Sequence, residues 1–405
     1  MDLAGKKIVL GLTGGIACYK SAELTRALVK AGANVQVVMT EAATQFITPM
    51  TMQALSGNPV YLDQWDRRID NHMPHIDLTR DADAIVIAPC STDFMAKLAH
   101  GHCNDLLSTL CVARPMLLPL LIAPAMNVEM WQNPATQRNA QQLRNDGIVL
   151  LGPDAGEQAC GEIGMGRMME PAHLLEEVIA AFQVKSLRGK QVLITAGPTY
   201  EPIDPVRGIT NLSSGKMGYA LARAAREAGA DVTLISGPTA LTVPLGVHCV
   251  QVRTAQQMFD VVMSRAAAQD VFIAVAAVAD WRVQQVSDHK LKKSGDAAPQ
   301  LIFEQNPDIL AAVATLAALA DKPYCVGFAA ESEALLKHGK SKRERKGIPL
   351  LVGNIGHETF GLDDNELILF DAHGTVHVPR ASKQFLARRL IAEISERLAV
   401  PPLSK

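Results

Sequence analysis

The chain begins in the same way twice. GKKIVLGLTGG at residues 5–15 and GKQVLITAGPT at 189–199 each place a Gly-Lys turn before a strand-forming apolar run that ends in a Gly-containing loop. One hydrophobic core stops growing at roughly 250–300 residues. A chain of 405 residues with a midpoint restart therefore predicts two domains, at 1–188 and 189–405, with the boundary in the polar stretch 183–190. The repeat goes further: AGANVQVVMT (31–40) pairs with AGADVTLISG (228–237), ADAIVIAPCSTD (82–93) with QDVFIAVAAVAD (269–280), and LLPLLIAPAMN (117–127) with KPYCVGFAAES (322–332). Strands apolar throughout are covered on both faces, and here they alternate with helical stretches such as SAELTRALVKAG (21–32) and GYALARAAREAG (218–229). Both halves are expected to be α/β, with doubly wound, Rossmann-like parallel sheets whose ligands sit beyond the carboxyl ends of the strands.

Composition narrows the partners. A formal charge of −2 gives no basic footprint for nucleic acid or an acidic membrane, so small molecules are the expected ligands. Seven scattered cysteines without a CxxC pair suggest neither a disulfide framework nor a zinc site, and a reducing cytoplasm is expected. The apolar run MLLPLLIAPAM (116–126) is too short to span a bilayer and contains Pro119 and Pro124, so it reads as a buried strand. The apolar N-terminal segment runs straight into a Gly turn without a cleavage-like site, so no export signal is expected.

Between the Gly-Lys turn and the AGA motif the second half is longer by 13 residues, an excursion that includes TYEPIDPVRGITN. Pro202 and Pro205 stiffen it, and Glu201, Asp204, Arg207 and Asn211 are expected on the ligand side; composition alone would allow an ordinary surface loop. The first Gly loop, GLTGG (11–15), lacks the GxGxxG spacing of dinucleotide folds, but a phosphate at the following helix remains open. SSGKMG (213–218) is not a P-loop, because Met217 stands where Ser or Thr is required.

PAMNVEMW (124–131) puts Asn127 and Trp131 directly after an apolar strand and resembles the signature of the flavin-dependent cysteine decarboxylases. His75 in PHIDL (74–78) is similar to that family's active-site histidine, and QACGEIGMGRM (158–168) to its substrate-clamp loop, with Cys160 as the reactive thiol. APCSTD (88–93) is similar to its flavin-contacting loop, with Ser91 at the hydroxyl position. Taken alone, His75 would be a surface histidine and Cys160 an inert thiol. The resemblance implies a flavodoxin-like first domain that binds FMN, with Gly14, Gly15, Thr40, Ser91 and Ala125 as cofactor contacts. It also implies catalytic roles for three residues: His75 in thiol oxidation or decarboxylation, Asn127 in holding the substrate carboxylate, and Cys160 as proton donor.

In the second half, EPIDPVR followed by NLSSGKMG, then AAVAD (276–280) and HKLKKSG (289–295), resemble bacterial phosphopantothenate–cysteine ligases, with Lys290, Lys292 and Lys293 forming the KxKK pattern. The resemblance implies CTP as co-substrate with Mg²⁺, catalytic Asn211 and Lys290, and a nucleotide site at Ala276, Asp280, Lys290, Pro307, Asp308, Phe328, Lys342 and Lys346, with Asp280 also at the metal. The bland alternative for the lysines at 290–293 and for KHGKSKRERK (337–346) is a solvated charged face. VGNIG (352–356) departs from the pattern, with Ile355 at the usual Asp beside Asn354. Both halves occur in the order of the fused bifunctional coenzyme A enzymes of bacteria, which implies 4′-phosphopantothenate, L-cysteine and CTP as substrates. It also implies a homo-oligomer with a trimeric decarboxylase core and dimeric ligase domains, a dodecamer among the assemblies this allows. Three rival readings are a peptidyl-cysteine decarboxylase, which has no use for the second half, a non-catalytic regulatory flavoprotein, and a nicotinamide dehydrogenase.

Overall fold

The computed structural model describes residues 1–65, 73–292, 300–331, 335–355 and 362–399. It contains two compact units, Met1–Phe182 and Gln183–Lys405. The division falls at the start of the polar stretch rather than after residue 188, for a physical reason. Leu187 is buried in the core of the second unit, its N–H donates to Ala228 O (2.9 Å), and Lys185 Nζ donates to Glu227 O (2.8 Å).

The first unit is built on a five-stranded parallel sheet of β1 (Lys7–Leu12), β2 (Asn34–Met39), β3 (Ala84–Cys90), β4 (Leu120–Pro124) and β5 (Val149–Leu150), in the order β2-β1-β3-β4-β5. This is the flavodoxin-like order, in which the winding reverses between β1 and β3 and the loops leaving those strands diverge to form a crevice. All seven residues of β3 are buried, which only a sheet covered on both faces permits. The helix Cys18–Lys30 turns Cys18, Ser21, Leu24, Thr25 and Leu28 inward, a spacing of three to four residues that keeps one stripe against the sheet.

The second unit has an eight-stranded sheet: β6 (Gln191–Ala196), β7 (Asp231–Ser236), β8 (His248–Gln251), β9 (Val271–Ala274), β10 (Tyr324–Glu331), β11 (Leu350–Ile355), β12 (Asp364–Phe370) and β13 (Thr375–Ser382). Its order is β8-β7-β6-β9-β10-β11-β12-β13. The inner run β7-β6-β9-β10 reproduces β2-β1-β3-β4, which is the shared plan expected from the paired segments. The sheet is not parallel throughout, however: β12 and β13 are antiparallel. Their connection is a tight hairpin in which Asp371 Oδ1 accepts from the N–H groups of His373 (2.8 Å) and Gly374 (3.0 Å), and Gly374 takes a φ of 147°. The helices Lys216–Glu227 and Lys383–Ala399 cover one face of this sheet with Tyr219, Leu221, Ala222 and Ala225 and with Leu386, Leu390, Ile391 and Ile394. Between them the buried Glu227 carboxylate receives Arg388 in a bidentate pair (2.6 and 3.0 Å) and Arg223 at 3.1 Å. Among the described residues no helix is long and apolar enough to cross a membrane.

A close approach fixes where the helix Lys216–Glu227 crosses β6. A Cβ on Gly218 would lie 2.5 Å from Ala196 Cβ and 3.1 Å from Ala196 Cα, atoms that cannot rotate away. Overpacking of this kind costs about 1–3 kcal/mol. Gly218→Val is expected to fall at the upper end, lowering the urea midpoint of the full chain followed by circular dichroism; an unchanged midpoint would mean the helix stands off the strand.

Candidate functional site

In the first unit, Gly14, Gly15, Thr40, Ser91 and Ala125 all follow the carboxyl ends of parallel strands and so share one edge of the sheet. Buried Thr13 fastens two of the loops: its Oγ1 donates to Pro89 O (2.8 Å) and accepts from the Ser91 N–H (2.8 Å). Ser91 Oγ accepts from Phe94 N–H and caps the helix Thr92–His100, and Thr40 Oγ1 accepts from Ala43 N–H, both at 3.3 Å. The Ala125 N–H donates to Cys90 O (3.0 Å). Gly14 packs on Ala42, where a Cβ would come within 2.6 Å, whereas Gly15 faces open space. The helix Cys18–Lys30 starts without a side-chain cap and without an acid in its first turn. The N–H groups of Cys18, Tyr19 and Lys20 donate back to Gly15, Ile16 and Ala17 O, so what this end offers a phosphate is the positive pole of the helix with no competing carboxylate. Thr92 and Asp93 turn elsewhere, Thr92 Oγ1 donating to Met126 Sδ (3.2 Å) and Asp93 pairing with Lys97 (3.5 Å).

Asn127 caps the short helix Val128–Gln132, its Oδ1 accepting from Glu129 N–H (2.8 Å). Its Nδ2 donates to Glu162 Oε2 and lies 3.4 Å from Cys160 Sγ, and Cys160 Sγ is 3.6 Å from the same carboxylate. Cys160 and Glu162 sit at the tip of the hairpin Asp154–Glu157/Ile163–Arg167. Two backbone ties hold this hairpin against Asn127: Val128 N–H donates to Gln158 Oε1 (2.9 Å) and Met126 N–H to Gly166 O (2.9 Å). Gly166 is required there, because a Cβ would stand 2.4 Å from Met126 O. The structure thus brings Asn127 and Cys160 together and adds Glu162, which the sequence reading missed although it lies two residues from the cysteine. His75, half-buried on the helix Pro74–Arg80, has no hydrogen bond to this group among the described residues. Burial pushes the Cys18 thiol up to about 11 and the Cys111 and Cys325 thiols up to about 12, so those buried cysteines are inert. Cys160 is exposed.

The second unit holds a cavity of about 380 Å³ at the carboxyl ends of β6, β9 and β11. Among its lining residues are Asn211, Ala276, Asp280 and Pro307, and also Asp308, Phe328, Lys342 and Lys346. Two buried threonines shape it: Thr195 Oγ1 accepts from the N–H groups of Val275 (3.2 Å) and Ala276 (3.3 Å), and Thr199 Oγ1 from Ala279 (3.0 Å). Buried Asn306 donates from Nδ2 to Ala279 O (2.8 Å) and from its N–H to Asp280 O (2.9 Å). Asp308 caps the helix Ile309–Ala320 and pairs with Lys346; desolvation works to raise its carboxyl, but the Lys346 bond and the Ala311 N–H prevail and hold it below its ordinary value.

Lys290 is exposed and is not among the cavity's lining residues; Lys293 lies outside the described residues, as does the Ile355 side chain. The sequence reading missed two lining lysines, Lys216, paired with Asp363 at 2.6 Å, and Lys383, buried with its Nζ on Leu362 O (2.6 Å). Burial, then the Lys216 charge, lower the Lys383 ammonium from its ordinary value. Among the described residues no three His, Cys, Asp or Glu side chains converge as a metal site.

Two residues of the excursion are structural, contrary to expectation. Glu201 is buried with Oε1 accepting from Ala255 N–H (2.9 Å) at the start of the helix Ala255–Ala266. Asp204 is buried and receives Arg207 side-chain bonds at 2.6 and 3.0 Å, the N–H groups of Val206 and Arg207 at 2.8 Å, and Leu291 N–H at 3.1 Å. Arg207 also donates to Leu291 O (2.8 Å), so this pair carries the segment next to Lys290.

Residues 1–183 match the family model described as Flavoprotein, and residues 187–398 the one described as DNA/pantothenate metabolism flavoprotein C-terminal domain. Along its length the chain is 49% identical to the coenzyme A biosynthesis bifunctional protein CoaBC of Vibrio cholerae, covering 98% of this chain and all of the relative. It is 46% identical to the Escherichia coli protein of the same name, covering 98% of each. Among solved structures, the C-terminal domain of a CoaBC protein is 39% identical, covering 53% of this chain and 98% of that chain, with a TM-score of 0.45. The FMN-dependent cysteine decarboxylase SpaF is 28% identical, covering 45% and 99%, with a TM-score of 0.39.

The Asp204–Arg207 pair sets an acid sensitivity. The Arg207 bonds, with three backbone N–H groups, hold the Asp204 carboxyl well below the usual carboxylate range. Its contribution to stability is therefore complete above the unfolded value of about 3.9 and is lost as pH falls through the lower folded value. Arg207→Met removes the largest cause, so the folded value rises toward 3.9. The acid unfolding midpoint read by circular dichroism is then expected to move to higher pH; an unmoved midpoint would mean that the backbone donors alone suffice.

Proposed function

The chain belongs to the family of coenzyme A biosynthesis bifunctional proteins, and from that premise we propose which of its residues carry each of its two reactions. It is a phosphopantothenate–cysteine ligase and a phosphopantothenoylcysteine decarboxylase, and its flavoprotein-type half comes first in sequence. We assign decarboxylation to the first unit and ligation to the second. The observation that carries the assignment is the convergence of Asn211, Ala276, Asp280, Pro307, Asp308, Phe328, Lys342 and Lys346 on one cavity, with Asn127 and Cys160 meeting at a separate strand-end site in the first unit.

In the ligase unit the acid of 4′-phosphopantothenate must become electrophilic before cysteine's amine can attack it. CTP is the proposed activator: the carboxylate displaces pyrophosphate to form an acyl-cytidylate, and the amine then displaces CMP. Lys342 and Lys346 offset charge on the phosphoryl oxygens, with Lys346 leaving Asp308 to do so. Phe328 offers an apolar surface to the base, and the Asn211 amide holds the acyl-cytidylate. Mg²⁺ commonly takes one or two protein carboxylates and completes its shell with phosphates and water, so Asp280 alone is an adequate protein ligand beside a triphosphate. Lys290 is proposed to reach the reacting phosphate from the exposed segment anchored through Leu291 to Asp204 and Arg207.

The decarboxylase unit would hold FMN with Gly14, Gly15, Thr40, Ser91 and Ala125, and the helix Cys18–Lys30 would receive its phosphate. Bound FMN supplies the reversible oxidation of the substrate thiol that gives the departing carboxylate an electron sink. Asn127 holds that carboxylate through Nδ2, and the Cys160 S–H gives its proton to carbon when the ene-thiol is reduced. His75 assists thiol oxidation or decarboxylation. Its lack of a hydrogen bond to Asn127 or Cys160 within one chain is consistent with a site completed between protomers. Ile16, Tyr19, Phe46, Met50 and Trp65, each at least half exposed, supply apolar surface for the proposed trimer, with ligase units pairing as dimers and a dodecamer as one closed form. Seven free cysteines favour a cytoplasmic site of action.

The assignment is tested with the full chain given phosphopantothenate, cysteine, CTP and Mg²⁺, following products by mass; absence of the peptide-bond adduct would sink it. Lys290→Gln is expected to lower ligation by roughly 100-fold or more while sparing decarboxylation of added phosphopantothenoylcysteine. Cys160→Ser is expected to do the reverse, accumulating the ene-thiol. Equal loss of both activities in either variant with the circular dichroism spectrum unchanged would overturn the separation.

A further inference from the structure

Within the chain itself the Asn127 amide already holds a carboxylate. Its Oδ1 is committed to Glu129 N–H, so Nδ2 is the part left to face a ligand, and Nδ2 donates to Glu162 Oε2. The same Glu162 oxygen lies 3.6 Å from Cys160 Sγ. We propose that Glu162 is a positioning residue that occupies the carboxylate position on Asn127 until the substrate's carboxylate displaces it, and that it then serves as acceptor for the Cys160 S–H.

Three features carry this. Glu162 and the substrate present the same chemical group to one amide, and two carboxylates side by side there repel, so each weakens the hold on the other. Glu162 is also placed to move. The hairpin is tied at Gln158 and Gly166, while Ala159 to Glu162 are exposed and turn through Gly161 at a φ of 86°. Cys160 and Glu162 share that tip, so expulsion of the carboxylate moves the thiol with it. Finally, the displaced carboxylate has a donor at hand in the Cys160 S–H, a bond that holds the thiol in one rotamer until its proton leaves for the substrate. The inference rests on the reading that Asn127 binds the substrate carboxylate.

The test uses the flavin-loaded full chain with phosphopantothenoylcysteine and separates KM from kcat. Glu162→Gln and Glu162→Ala remove the competing charge at an exposed position. Both are expected to lower KM about threefold or more, and Glu162→Ala, which unlike the glutamine leaves the thiol no acceptor, to lower kcat roughly tenfold as well. Loss of a merely structural contact would raise KM or leave it unchanged, so either result in both variants, with circular dichroism intact, overturns the proposal. Asn127→Ala distinguishes the two levels. A raised KM there, with KM unmoved in the Glu162 variants, sinks the role of Glu162 alone, whereas an unchanged KM in Asn127→Ala sinks the reading of Asn127 and this inference with it.

Discussion

Both units depend on buried threonine hydroxyls that hold strand-end loops where the first strand meets its neighbour. Thr13 after β1 bonds Pro89 O and Ser91 N–H; Thr195 at the end of β6 takes the N–H groups of Val275 and Ala276, and Thr199 that of Ala279. A loop leaving a parallel strand carries N–H and C=O groups that no ladder satisfies, and each one buried without a partner costs about 1–3 kcal/mol. A hydroxyl can both donate and accept, so one threonine settles two such groups and fixes the loop on which ligand contacts stand.

The two sites then differ as their chemistries require. The ligase must gather negative charge, and its cavity is lined by Lys216, Lys342, Lys346 and Lys383, with Asp308 and Asp363 as resting partners for Lys346 and Lys216. Burial and then the nearby Lys216 charge lower the Lys383 ammonium from its ordinary value, and an anion in the cavity would offset that repulsion. On the proposed assignment the decarboxylase must instead set one amide and one thiol beside a small carboxylate. It does so with a pinned hairpin, where Gly166 buys the backbone approach that brings Cys160 to Asn127.

Much of this was legible in the sequence because apolar runs buried on both faces have few other interpretations. The paired segments identified four corresponding strands in each half, and the structure then arranges both sets in the same spatial order. The antiparallel strands β12 and β13 escaped because their pairing is set by the Asp371–Gly374 hairpin, a local turn rather than a periodicity. Motifs led to Asn127, Cys160 and the cavity residues, but not to Glu162, Lys216 or Lys383. The last is contributed by the C-terminal helix, some 170 residues from the Gly loop that carries Lys216. Charge in a loop was the weakest guide. Glu201 and Asp204 read as ligand groups, yet each is buried against backbone N–H donors, a use of carboxylates that composition cannot separate from binding.

The excursion after β6 shows why those acids are structural. Its residues form a two-stranded ribbon, Tyr200–Pro202 against Gly208–Thr210, that must stand still if Asn211, the next residue, is to face the cavity. Prolines limit the unfolded chain, but the ribbon is held from below. Tyr200 N–H donates to Arg253 O (2.8 Å), its ring lies 4.5 Å from the Arg253 guanidinium, and Thr210 Oγ1 donates to Thr199 O (2.8 Å). Gly208 lets the Tyr200 ring lie across the ribbon, since a Cβ would sit 2.4 Å from Cζ. Glu201 then ties the ribbon to the amino end of the helix Ala255–Ala266, where its negative charge also suits the helix dipole. Asp204, by way of Arg207, extends the same support to the segment bearing Lys290. A loop that had only to cross the surface would need none of these buried acids; one that holds the Asn211 amide against the cavity uses both of them.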